Sequence, residues 1–112
     1  MTSNDLTRLL LLAISRTYWP HVLVFRLNVI VARGLRAGSQ GCIRSAPNGS
    51  PDLIGTCQGR GLAIEIKAGK DRLSPAQALF RDSWRRAGGV YIVARDVGQA
   101  MRELAEEIKG AR

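Results

Sequence analysis

The sequence predicts an α/β domain in which a mixed central sheet is flanked by helices, with a further helix at its C-terminal end. Three observations predict it. Apolar residues at helical spacing come first (Leu6, Leu9, Leu10, Ala13, Ile14), and β-branched runs follow over residues 22–33, 52–57 and 61–68. A helix–strand–helix succession then closes the chain, and its crossover from the third strand to the fourth implies a parallel, right-handed pair. At 112 residues the chain reads as one domain, residues 1–112, long enough for a single core without disulfide or metal staples. A hydrophobic content of 46% and a mean hydropathy of −0.05 exclude a disordered chain.

Each element has its own signal. Residues 4–16 read as a helix that Ser3, Asn4 or Asp5 can cap. Pro20 bars its continuation, and residues 22–33 read as one long strand. Period-two alternation puts Val22, Val24, Arg26, Asn28 and Ile30 on one face of it, so Arg26 and Asn28 lie together. Residues 34–50, with Gly34, Gly38, Gly41 and Gly49, read as a basic loop. Residues 52–57 and 61–68 form a hairpin about a turn at 58–60. A helix over residues 75–87 follows, with Ser74 at the N-cap and Pro75 at N1. Its apolar stripe is Ala76, Leu79, Phe80 and Trp84, and Gly88-Gly89 stops it. Residues 90–94 are a fully apolar strand, and Asp96 caps a last helix through Val97, Ala100, Met101, Leu104 and Ile108. The order is αβββαβα.

The charge narrows the partner class. Seventeen Lys and Arg stand against nine Asp and Glu, for a net +8, and 14 of the 17 bases are arginine. Arginine forks onto phosphate in a way a solubilising lysine does not, which favours nucleic-acid contact. The excess is +4 in each half, so no basic tail carries it. Cys42 and Cys57 lack metal-ligand spacing, and with the lone His21 they make a poor zinc site. Buried free thiols are expected. The apolar run from Leu9 to Ile14 is too short for a membrane span, so a cytoplasmic protein is expected.

The informative pattern lies in the hairpin. Asp52 opens its first strand, while Glu65 and Lys67 sit two residues apart in its second and point the same way. Strands about 4.8 Å apart let the Asp52 and Glu65 carboxylates share one hard cation, of the kind magnesium makes with one or two carboxylates, a carbonyl and phosphate oxygens. Lys67 beside it can orient or deprotonate an attacking water. Spacing alone equally fits a surface Glu65–Lys67 ion pair worth about 0–1 kcal/mol. Gln77 likewise fits the N3 position of a capping box on Ser74.

Several short segments together resemble a known family. Pro51-Asp52 and Glu65-Ile66-Lys67 on an αβββαβ succession resemble the PD-(D/E)xK nucleases, and more closely their VRR-NUC (virus-type replication-repair nuclease) group. Arg26-Leu27-Asn28, Gly49–Gly55, Leu73-Ser74-Pro75-Ala76-Gln77 and Gly88-Gly89-Val90-Tyr91 continue the likeness over residues 4–108. The resemblance implies a restriction-endonuclease-like core and metal-dependent hydrolysis of DNA, branched DNA such as four-way junctions in particular. It implies Mg²⁺ or Mn²⁺ held by Asp52, Glu65 and the Ile66 carbonyl, with Lys67 as catalytic lysine and Gln77 in support. It also implies a homodimer of bacterial or phage origin. Arg26, Asn28, Arg33, Arg36 and Arg44 become candidate DNA contacts. The family commonly adds a first-helix acid; here Ser3 falls at that place, with Asp5 as the possible substitute. Two other classes compete: a non-catalytic DNA-binding module retaining the fold, and a dimerising interaction domain anchored on Trp19 and Trp84.

Overall fold

A computed structural model describes residues 1–28 and 48–110, together with the backbones of Val31–Arg33 and Cys42–Arg44. Its elements are α1 (Ser3–Tyr18), β1 (Val22–Arg26), β2 (Val31–Arg33), β3 (Cys42–Arg44), β4 (Leu53–Cys57), β5 (Arg60–Ile66), α2 (Pro75–Arg86), β6 (Val90–Ala94) and α3 (Val97–Gly110). The principal sheet has the order β1-β4-β5-β6. Its first two pairings are antiparallel and the last, β5 with β6, is parallel, as the crossover through α2 predicts.

Alternation along β5 sets the layers. Leu62, Ile64 and Ile66 face one way into a core with Leu6, Leu10 and Ile14 of α1 and Ala100 and Leu104 of α3. Ala63 and Glu65 face the other way, beneath α2. On that side Trp84 lies flat over two glycines: a Cβ on Gly61 falls 2.8 Å from the indole, and one on Gly89 falls 2.3 Å from it. The indole N–H donates to the Val90 carbonyl at 3.0 Å, and Phe80 stacks on the ring at 5.5 Å between centroids. Trp84 is thus half-buried and packed within the fold, whereas Trp19 is 66% exposed.

The β4–β5 turn consists of Gln58 and Gly59, both at positive φ (52° and 84°), the combination a two-residue type I′ hairpin requires. Ser74 caps α2 as expected, and Asp96 accepts the Gln99 N–H at 2.7 Å to start α3.

Two expectations need correction. Within residues 22–33 the described residues form two strands, and β1 ends at Arg26 because β4 begins opposite it, at Leu53. The glycine-rich stretch also contains β3, which pairs antiparallel with β2 in the register Ala32 to Ile43. The β-prone Cys42-Ile43 dipeptide carried that signal beneath the surrounding glycines. Cys57 is a buried free thiol, and the Cys42 side chain lies outside the described residues. Among the described residues no helix is long and apolar enough to cross a membrane.

Candidate metal and phosphate site

The site forms where β4 runs out. The β4–β5 register pairs Leu53 with Ile64, so Asp52 stands beside Glu65, one residue beyond the ladder. The Asp52 side chain then continues the ladder itself: its Oδ2 accepts the Ile66 N–H at 2.8 Å, while its backbone carbonyl accepts the Leu27 N–H at 2.9 Å. These two bonds hold the carboxylate at the junction of β1, β4 and β5. A strand residue directs its N–H and carbonyl to the same side, so the Ile66 carbonyl faces Asp52 as well. On the opposite edge the Lys67 N–H donates to the Ala94 carbonyl at 2.9 Å and ties the strand end to β6.

Glu65 is 4% exposed. Its Oε1 accepts from the Gln77 side-chain amide at 3.0 Å, and its Oε2 is buried with no hydrogen-bond partner among the described residues. Burial pushes the Glu65 carboxyl up to about 8; the neighbouring Asp52 carboxylate, which can accept a proton carried by Glu65, adds to this, and the Lys67 ammonium opposes it. Two ionised carboxylates have no donor between them, so the pair is stable only with a proton or a cation to share.

Gln77 caps α2 as its sequence position suggested, and it also reaches Glu65. Its carbonyl oxygen accepts the Ser74 N–H at 2.8 Å in a capping box, and its amide donates to Glu65. The start of α2 is therefore clamped to the acidic pair. Gly49 sets the approach of the loop that carries Asp52: at φ 80°, a Cβ there falls 2.3 Å from the Ala76 carbonyl oxygen. In the sequence Gly49 stands out only as part of a motif; a turn glycine three residues before a candidate ligand is the signal that points to this role.

A cleft of about 350 Å³ opens over the pair, lined by Ser3, Asn4, Thr7, Arg26, Leu27, Asn28, Asp52, Glu65 and Ile66. Arg26 and Asn28 thus reach the place expected of them. Lys67 stands one residue past the end of β5 and does not line the cleft. Arg36 lies outside the described residues; Arg33 and Arg44 are described only as strand backbone, at the ends of the β2–β3 pair.

Asp5 is a correction. The N-cap of α1 is Thr2, not Ser3, Asn4 or Asp5, and Asp5 is the N3 member of its capping box. Its carboxylate accepts from the Thr2 N–H at 3.2 Å and from Arg8 at 3.3 Å, and the Thr2 hydrogen bonds hold its carboxyl below the usual carboxylate range. The wall that α1 presents to the cleft is neutral: Ser3, Asn4 and Thr7. Among the described residues no cluster of three or more His, Cys, Asp or Glu side chains forms. The residues able to hold a cation are Asp52, Glu65 and the Ile66 carbonyl, and the orphaned Glu65 Oε2 beside a second carboxylate suits a hard divalent ion.

No protein-family model matches the chain, and no curated protein matches it.

Proposed function

We propose that this protein is a divalent-metal-dependent DNA endonuclease of the PD-(D/E)xK type, acting on branched or structured DNA such as four-way junctions. The observation that carries the reading is the buried, half-orphaned Glu65 carboxylate set against Asp52 at a cleft, in a chain of net charge +8. A structural ion pair would have no reason to bury one carboxylate beside another, since desolvation and like charge both oppose it.

Asp52, Glu65 and the Ile66 carbonyl would hold Mg²⁺ or Mn²⁺. The ion, when bound, supplies Lewis acidity toward a phosphodiester oxygen and offsets charge as the transition state develops. The chain's own groups do the rest. Gln77 fixes the Glu65 rotamer through Oε1, which leaves Oε2 free for the ion. The Ile66 N–H does the same for Asp52 through Oδ2. Lys67 orients the attacking water and balances negative charge at phosphorus. Arg26 and Asn28 hold the phosphate backbone across the cleft, with Arg33, Arg36 and Arg44 as further contacts from the following segment. Attack on phosphorus expels the 3′ oxygen, so products carry a 5′-phosphate. On the same reading the protein is a homodimer in the cytoplasm of a bacterium or a phage-infected cell.

Product end groups test this chemistry. Cutting in Mg²⁺ must leave nicks that DNA ligase reseals without prior phosphorylation. Ends bearing 3′-phosphate, or cutting by Lys67→Ala at the wild-type rate, overturn it. The neutral wall of Ser3, Asn4 and Thr7 favours a second reading, a DNA-binding module that retains the fold without cutting. That reading predicts salt-dependent DNA binding with no Mn²⁺ bound at Asp52 and Glu65.

A further inference from the structure

A second cleft, of about 620 Å³, opens beside the first and is lined by Asn4, Arg8, Leu11, Leu12 and Arg26. It shares Asn4 and Arg26 with the acidic cleft, so the two adjoin there and together make a trough from Asp52 and Glu65 along α1. Asn4, Arg8, Leu11 and Leu12 stand at i, i+4, i+7 and i+8, which is one stripe of the helix. From Asn4 to Leu12 the stripe spans about 12 Å at 1.5 Å per residue. That is the run of roughly two to three nucleotides in a strand that rises 3.4 Å per nucleotide when stacked and more when extended.

The chemistry changes in order along this trough. Next to the acidic pair stands Arg26, which has no acidic partner among the described residues. Arg8 follows, its side chain 74% exposed and, among the described residues, paired only with Asp5, at 3.3 Å across an open surface. Beyond the two guanidiniums comes an apolar ledge, with Leu11 half-buried against the core and Leu12 45% exposed. Guanidiniums beside an apolar surface suit a strand whose phosphates meet the arginines while a base or sugar rests on the ledge. A duplex keeps its bases stacked inside and cannot offer one to Leu12.

We infer that the α1 trough is the track for an unpaired DNA strand leading away from the reacting phosphate, with Arg26 and Arg8 holding successive phosphates and Leu12 contacting a base. This rests on the nuclease reading for the identity of the reacting end. It adds that the substrate must present two to three unpaired nucleotides on that side, and it brings Arg8 and Leu12 into strand recognition.

Binding measured in EDTA separates the two claims, since neither metal nor turnover is involved. Fluorescence anisotropy compares a forked DNA carrying a four-nucleotide unpaired arm with a blunt duplex of the same sequence, for wild type, Arg8→Ala and Leu12→Ala. Both substitutions are at exposed helix positions, and circular dichroism checks that each variant is folded. Wild type should bind the fork at least tenfold more tightly than the duplex. Arg8→Ala should lower fork affinity about fivefold and reduce the slope of log K against log salt by roughly 0.7–0.9. Leu12→Ala should lower fork affinity two- to fivefold with the slope unchanged, and neither variant should move duplex affinity. Equal wild-type affinity for fork and duplex, or folded variants that bind the fork as wild type does, would overturn the track. If the predicted binding pattern appears and no metal supports cutting, the track stands and the nuclease reading fails. Cutting accompanied by unchanged variant binding overturns the track and leaves the nuclease reading standing.

Discussion

Replacing Glu65 with glutamine removes the group that makes the metal-free fold sensitive to pH. Burial first, and Asp52 second, raise Glu65 from 4.5 to about 8 in the folded chain, while Lys67 acts in the opposite direction. The unfolded chain loses this proton near the ordinary glutamate value. Between the two values the native state binds more protons than the unfolded state, so stability falls as pH rises, and the fall ends above the folded value. From pH 6 to pH 9 the loss is about 2–3 kcal/mol, at 1.36 kcal/mol per unit until the folded group itself ionises. For a domain of this size that corresponds to about 10 °C in Tm. Tyr91, whose hydroxyl is pushed up to about 12 by burial and by the charge of Glu65, titrates outside this window. Thermal unfolding followed by circular dichroism in EDTA, at half-unit steps of pH, supplies the comparison. Wild type should lose stability across the window relative to Glu65→Gln, and added Mn²⁺ should restore wild type at the alkaline end by mass action while leaving the variant unchanged. Parallel Tm curves for the two proteins from pH 6 to pH 9 would refute the reasoning.

Three further outcomes follow from the same contacts. Gly49→Ala adds a Cβ 2.3 Å from a backbone carbonyl at a φ of 80°, so urea denaturation should show a loss of about 2–4 kcal/mol; a loss below about 0.5 kcal/mol would mean that the loop does not rest on α2 as described. Gln77→Ala removes both a capping bond and the partner of a buried carboxyl, for about 1–3 kcal/mol by denaturant melts, and should weaken Mn²⁺ binding as Glu65 loses its fixed rotamer; unchanged Mn²⁺ affinity would separate Gln77 from the site. Trp84→Ala should cost about 3 kcal/mol through lost packing on Gly61 and Gly89, and sedimentation of the folded fraction should give the same mass as wild type; a change of mass would mark Trp84 as an interface residue.

Much of the architecture was legible because the starts of α2 and α3 and the last strand carried strong local signals. Ser74-Pro75 marked α2, Asp96 marked α3, and the unbroken apolar run from Val90 to Ala94 marked a strand buried from both faces. The first strand was over-extended because residues 22–33 are β-prone throughout, and where such a run stops depends on where its partner begins. That information sits at Leu53, 27 residues beyond Arg26 in the chain. Of the site, the Asp52–Glu65 adjacency followed from hairpin register, and the double role of Gln77 could be stated only as two alternatives. Nothing local told Asp5 from a cleft acid. It is a capping residue because Thr2, one position before the candidates the sequence offered, is the N-cap and places Asp5 at N3, while Ser3, Asn4 and Thr7 line the cleft. The trough along α1 was invisible for a related reason: Arg8 and Leu12 meet Arg26 only once β1 has been laid beside the helix.

The most direct measurement is the rate at which a labelled four-way junction is cut in Mn²⁺ by wild type and by Asp52→Ala, side by side with a matched duplex. The carboxylate pair and its cleft predict metal-dependent cutting by wild type, abolished by EDTA and reduced at least a hundredfold in folded Asp52→Ala. Undiminished cutting by that variant, or no cutting by wild type with any divalent metal, would contradict the assignment of Asp52 and Glu65 as a phosphodiester-hydrolysing site.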